Sequence, residues 1–144
     1  MPFVKIWIHL IFSTKGREKI IYKELKEKLI DHIKVNAKEK QIWIDSINGT
    51  SNHLHLLISL GTEQTISKVA MLLKGESSYW INKNKLTRQK FEWQDEYIAI
   101  SVSESVVEKV RKYISDQEEH HKKKSFGEEY GQFLVNIGHK IIPH

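Results

Sequence analysis

The stretch "QIWIDSINGTSNHLHLLISL", residues 41–60, decides the fold. It holds two β-rich runs, 41–49 and 51–60, divided by Asn48 and Gly49, residues able to take the left-handed backbone values of a tight turn. The pair is predicted to be an antiparallel hairpin. In its second arm His53 and His55 alternate with Leu54, Leu56 and Ile58. Side chains two apart on a strand share a face, so the two imidazoles project together and the aliphatic groups point to the other side.

Working outward, "FVKIWIHLIFS", 3–13, sets Val4, Ile6, Ile8, Leu10 and Phe12 against Lys5, Trp7, His9 and Ile11, the period of a strand. From about residue 19 to 40, Ile20, Leu25, Leu29, Ile33 and Ala37 recur among charges as in an amphipathic helix. A second helix is predicted from about 63 to 82 on Ile66, Val69, Ala70, Leu73 and Tyr79, with Gly61 and Thr62 as break and cap. "FEWQDEYIAISVS", 91–103, reads as strand, and "SVVE", 105–108, has the spacing of a capping box opening a third helix. That helix aligns Val106, Val110, Tyr113 and Gln117, and ends near the basic run "HHKKK". Phe126, Tyr130, Phe133 and Leu134 then predict a short helix, with a frayed tail after about residue 135.

The order strand, helix, strand, strand, helix, strand, helix is that of an α+β, ferredoxin-like (RRM-like) antiparallel sheet with helices on one face and an added C-terminal helix. The 144 residues, 40% hydrophobic and without repeats or linkers, fit one domain over 1–144. No cysteine is present, which excludes disulfides and thiolate metal sites and fits a cytoplasmic location. Lys5 and His9 interrupt the first apolar segment, so it reads as a strand and not a leader or membrane span. A net charge of +5, from 23 basic and 18 acidic side chains, is compatible with a polyanionic partner and equally with a solvated surface.

Two imidazoles on one strand face can share a metal ion, or can be an idle hydrogen-bonded pair. Tyr113 and Gln117, four apart, share the helix face that Val106 and Val110 turn toward the sheet. There a tyrosine can be packing or nucleophile, whereas a buried amide must find a polar partner. Two imidazoles and an amide oxygen around one cation would leave positions for a phosphate oxygen, with a phenol at hand to attack the phosphorus.

The H-hydrophobe-H strand followed by Y-x-x-x-Q on a later helix resembles the HUH single-tyrosine transposases of the insertion-sequence 200/605 type. "WIHLIFSTKGRE", "ISKVAMLLKGESSYWINKN", "FEWQDEY" and "YISDQEEHH" resemble the same family in order, so the likeness runs over roughly residues 4–134. It implies that Tyr113 cuts single-stranded DNA at hairpin-flanked element ends through a 5′-phosphotyrosine. A free phenol has a pKa of about 10, so the attack needs proton removal or stabilisation by the metal, and no residue is assigned as the base. His53, His55 and Gln117 are implied to hold a divalent ion, Mg2+ or Mn2+. A homodimer in which one subunit's tyrosine helix can complete the other's histidine site is also implied, with no membrane and no nucleotide cofactor.

Lys15, Arg17, Lys74, Lys83, Lys85 and Arg88, with Trp80 and Trp93, are the candidate phosphate and stacking contacts. Two departures from the family pattern stand out. No glycine lies between Phe91 and Ser105, where relatives have one ahead of the tyrosine helix, and Asn52 precedes His53 where an acidic residue is frequent. A domesticated relative that nicks repeated palindromes, and a non-catalytic ferredoxin-like nucleic-acid-binding module, are the competing expectations.

Overall fold

The computed structural model describes residues 2–117, 128, 131–133 and 135. Its strands are β1 (Ile6–Ser13), β2 (Trp43–Gly49), β3 (His53–Leu60) and β4 (Ile98–Val102). Its helices are α1 (Lys23–Glu39), α2 (Ile66–Lys83) and α3 (Val107–Ser115). The sheet runs β2-β3-β1-β4 and every neighbouring pair is antiparallel. This is the predicted ferredoxin-like order.

Alternation along the two central strands builds a separate core on each face. Leu10, Phe12, Leu54, Leu56 and Ile58 pack against Leu25, Leu29, Ile33 and Ala37 of α1 and Val69, Ala70, Leu73 and Ile81 of α2. Trp7, Ile11 and Leu57, offset by one residue, pack with Val102 against Val107, Val110, Tyr113 and Ile114 of α3. The predicted added helix therefore closes the sheet face that α1 and α2 leave open.

The hairpin differs from its prediction in the place of the turn. Asn48 and Gly49 stay in β2, opposite His55 and Leu54, and the chain reverses over residues 50–52, where Thr50 N–H donates to the His53 carbonyl at 3.0 Å. Gly49 does not use positive φ; among the described glycines Gly16 does. What Gly49 supplies is room, since a Cβ there would collide with the His53 carbonyl oxygen and lie 2.6 Å from Leu54 Cδ2. Gly49→Ala is expected to cost about 1–3 kcal/mol in chemical denaturation, because the obstructing atoms are backbone and a buried leucine that cannot swing away.

Other boundaries also moved. Phe3 is 90% exposed and β1 starts at Ile6. Tyr79 is exposed, and Ser77 and Ile81 continue the buried stripe from Val69 and Leu73 at steps of four, leaving Tyr79 half a turn away. Of the strand predicted over 91–103, residues 98–102 form β4, and an isolated bridge joins Trp93 to Thr14. The pairing breaks because Phe91 and Trp93 turn into the helix-side core, where Trp93 Nε1 donates to Ser77 Oγ at 2.9 Å.

The capping box does not form. Ser105 shares a hydrogen bond with Ser103, Glu108 pairs with Arg111, and a 3₁₀ turn at Glu104–Val106 leads into α3 at Val107. The inward stripe accordingly takes Val107, with Val106 partly buried. Of the predicted tail helix, Glu128, residues 131–133 and Val135 are helical, whereas Phe126, Tyr130, Leu134 and the "HHKKK" run lie outside the described residues. Among the described residues no helix is long and apolar enough to cross a membrane.

Candidate functional site

The strand period that sends Leu54, Leu56 and Ile58 toward α1 and α2 sends His53 and His55 toward α3, where each is at most 2% exposed. Their rings lie 5.0 Å apart between centroids. From the helix side, Gln117 Oε1 reaches within 3.4 Å of His53 Nε2, and the Tyr113 ring stands edge-on to His55 at 5.5 Å. Phe133 stacks on Tyr113 at 3.9 Å. Four side chains from two segments some sixty residues apart thus meet on one buried face, within a single chain.

Proton positions around His53 follow from its neighbours. Asn52 Nδ2 donates to the Arg17 carbonyl at 3.3 Å, which turns Asn52 Oδ1 toward His53 Nδ1 at 2.8 Å. An amide oxygen can only accept, and the Thr50 hydroxyl, 3.0 Å from the same nitrogen, donates to Asn52 Oδ1 at 3.3 Å, so this arrangement assigns the hydrogen to His53 Nδ1 and the lone pair to Nε2. On the other side, Gln117 Nε2 donates to the Tyr113 carbonyl at 3.2 Å, which turns Oε1 toward the same Nε2. Two acceptor atoms therefore face each other at 3.4 Å, an arrangement that a cation between them satisfies.

The spacing agrees as well, since ligands about 2.1 Å from one hard cation lie about 3 Å apart at a right angle. Among the described residues, no group of three or more His, Cys, Asp or Glu side chains is arranged to hold a metal. A cation here would take the Gln117 amide as its third protein ligand. Two imidazole nitrogens and one amide oxygen can hold a divalent cation and leave exchangeable positions. The substitution of Asn for an acidic residue before His53 is accommodated, because the asparagine oxygen does the orienting.

His9 was placed by sequence on the same strand face as Trp7 and Ile11, without a role. It is 1% exposed, its Nε2 lies 2.9 Å from His55 Nδ1, and burial pushes its pKa down to about 3. The period-two alternation of "IWIHLIF" opposite "NHLHLL" was the available signal, but cross-strand register was needed to read it.

Three contacts fix α3 and the 3₁₀ turn before it to the sheet. Asn48 Nδ2 donates to the Ser115 carbonyl at 3.1 Å, Trp7 Nε1 donates to Glu104, and Arg111 donates to both Asp45 oxygens at 2.9 and 2.8 Å. Asp45 lies at the register shift between Ile44 and Ser46 of β2. The Arg111 hydrogen bonds hold its carboxyl below the ordinary aspartate value. The stabilisation is present above the ordinary carboxylate range and is lost as pH falls through the depressed pKa.

Asp45→Asn is therefore expected to lower the melting midpoint at pH 7. The shift should be on the order of a few degrees because Arg111 is 37% exposed, and the deficit should shrink as pH falls below about 4. Melting of both proteins from pH 7 to pH 3 checks it; a deficit that grows on acidification contradicts it.

The candidate nucleic-acid contacts do not form one surface. Arg17 lines a cleft of about 420 Å³ with Ser13, Asn52, Gln94 and Tyr97; neither His53 nor His55 lines it. Lys15, two residues away, pairs with Glu92 at 3.2 Å. Lys74 and Lys83 line a second cleft with Tyr79, where Lys74 Nζ donates to the Asp95 carbonyl at 2.8 Å. Arg88 lines a third cleft, and Lys85 is exposed just past α2. Neither tryptophan is placed to stack on a base, since Trp93 is 7% exposed and Trp80 stacks on His32 at 4.1 Å. Among the described residues the exposed aromatic side chains are Phe3, Tyr22, Trp43 and Tyr79.

A ferredoxin-like sheet with a histidine pair facing a tyrosine-bearing helix defines the class of domain. Residues 3–117 match the family of IS200-like transposases (Y1_Tnp), and the chain belongs to that family. It is 29% identical over 115 residues to the ISDra2 transposase TnpA of Deinococcus radiodurans, covering 76% of this chain and 81% of the relative. Its fold is similar to a crystal structure of a transposase candidate from Deinococcus radiodurans R1 (TM-score 0.66, 23% identity, 81% of this chain and 93% of the other). It is also similar to a REP-associated tyrosine transposase bound to a REP hairpin (TM-score 0.61, 12% identity, 81% and 68%).

Proposed function

We propose that this transposase cuts and rejoins single-stranded DNA at the hairpin-flanked ends of an insertion sequence, through a 5′-phosphotyrosine at Tyr113. The observation that carries the reading is the convergence of His53 Nε2, Gln117 Oε1 and the Tyr113 ring at one buried face. In the cleavage step a bond forms from Tyr113 Oη to the phosphorus as the bond to the 3′-oxygen breaks. The phenol loses its proton and the departing 3′-oxygen gains one. A 3′-hydroxyl from another strand end reverses the step, so joining needs no ATP because the phosphodiester energy is held in the tyrosine link.

His53, His55 and Gln117 would hold a divalent cation, Mg2+ or Mn2+, which when bound would polarise the scissile phosphate. Asn52 keeps the His53 lone pair turned inward, and the contacts of Asn48 and Arg111 keep α3 where Tyr113 faces His55. Arg17, in the cleft it lines with Asn52, the residue before His53, takes a backbone phosphate of the entering strand. The hairpin partner of the REP-associated neighbour supports hairpin DNA as the ligand. The active unit is a homodimer, as the family resemblance implies.

Incubation with a single-stranded oligonucleotide carrying the element's own hairpin end and Mg2+ should give a covalent protein–DNA adduct on a denaturing gel. The fully duplex end should give none. Binding of the element's end without any adduct would leave a non-catalytic nucleic-acid module and sink the proposal.

A further inference from the structure

His9 sits in the middle of β1, diagonal to His55, because Ile11 is the residue directly paired with His55 and His9 pairs with Leu57. It is surrounded by rings: His55 at 5.1 Å, Tyr113 at 6.1 Å and Phe133 at 6.4 Å between centroids. A leucine or phenylalanine would pack there at no polar cost, whereas a buried imidazole is penalised unless it is hydrogen-bonded. One hydrogen bond that His9 makes is to the ring nitrogen of His55, at 2.9 Å.

A hydrogen bond between two ring nitrogens needs one donor and one acceptor, so two arrangements exist. If His9 Nε2 donates, His55 accepts at Nδ1 and carries its hydrogen on Nε2, the nitrogen that would have to ligate. If His55 Nδ1 donates, Nε2 keeps its lone pair. The second arrangement repeats around His55 what Asn52 does for His53, with an imidazole nitrogen in place of the amide oxygen.

We propose that His9 is a positioning residue that accepts the Nδ1 proton of His55 and so fixes the tautomer and ring angle with which His55 presents Nε2 to the cation. The inference rests on the reading of His53, His55 and Gln117 as ligands, and its test separates the two. Long-range proton–nitrogen spectra of the metal-free wild type should show His55 protonated at Nδ1 and bare at Nε2. Mn2+ affinity, measured by calorimetry without DNA, should fall about 10–100-fold in His9→Leu. His9→Gln, which keeps an acceptor oxygen on a comparable arm, should recover most of that loss, with near-ultraviolet circular dichroism checking the fold of both.

A hydrogen on His55 Nε2 in the wild type overturns the inference, and so does a folded His9→Leu that binds Mn2+ like wild type. A wild type that binds no Mn2+ overturns the ligand reading instead, and the tautomer of His55 still decides the role of His9. The spectra need no variant, so the question is answered even if His9→Leu does not fold.

Discussion

Replacing Tyr113 by phenylalanine is expected to remove the covalent protein–DNA adduct and to lower strand cleavage at least about 10³-fold, to background, with binding of the hairpin end intact. The substitution deletes one oxygen and keeps the ring that stacks on Phe133 at 3.9 Å and meets His55 edge-on, so α3 retains its packing. Melting should therefore stay close to wild type while chemistry disappears. The denaturing gel and a melting curve on the same preparation check both halves. An adduct that persists in Tyr113→Phe would move the nucleophile to another side chain.

Loss of the proposed cation site is expected to be nearly as severe. His53→Ala and His55→Ala should each reduce cleavage by about 10³-fold, and chelation by EDTA should do the same to wild type, with activity restored by Mg2+ or Mn2+. Gln117→Ala should be milder, about 10-fold, because a water can replace one neutral oxygen ligand. Mn2+ calorimetry gives the independent reading: both histidine variants should lose binding in proportion to their loss of cleavage. Undiminished cleavage in EDTA would contradict the assignment. The two histidines differ in their structural cost, since His55 is fully buried among His9, His53 and Tyr113, so His55→Ala is expected to melt lower than His53→Ala.

The residues behind both predictions are legible in the sequence as residue types. The alternation of His53 and His55 with leucines is a period-two pattern that no helix or turn reproduces, and the four-residue step from Tyr113 to Gln117 is the spacing of a helix face, although α3 itself ends at Ser115. Asn48 and Gly49 show where local reading failed. Their turn chemistry is genuine, but β3 pairs with them instead, and the glycine is needed for close approach to the His53 carbonyl. Trp93 shows the same limit from the other side. An aromatic in a basic neighbourhood suggests stacking, and only its seat between Phe12, Phe91 and Ser77 makes it core.

The sequence by itself determined the element order, which residues of each strand share a face, and therefore that two imidazoles point the same way. Those follow from backbone periods of 2.0 and 3.6, which are local. Tertiary structure decided which partners meet: Asn52 turned by the Arg17 carbonyl, Gln117 turned by the Tyr113 carbonyl, Arg111 closed on Asp45, and His9 brought against His55. Each depends on cross-strand register and on where α3 lies against the sheet, quantities set by the summed packing of both cores and encoded in no single segment. The tautomer of His53 is the clearest instance, because the nitrogen carrying the lone pair is chosen by an oxygen that another loop has oriented.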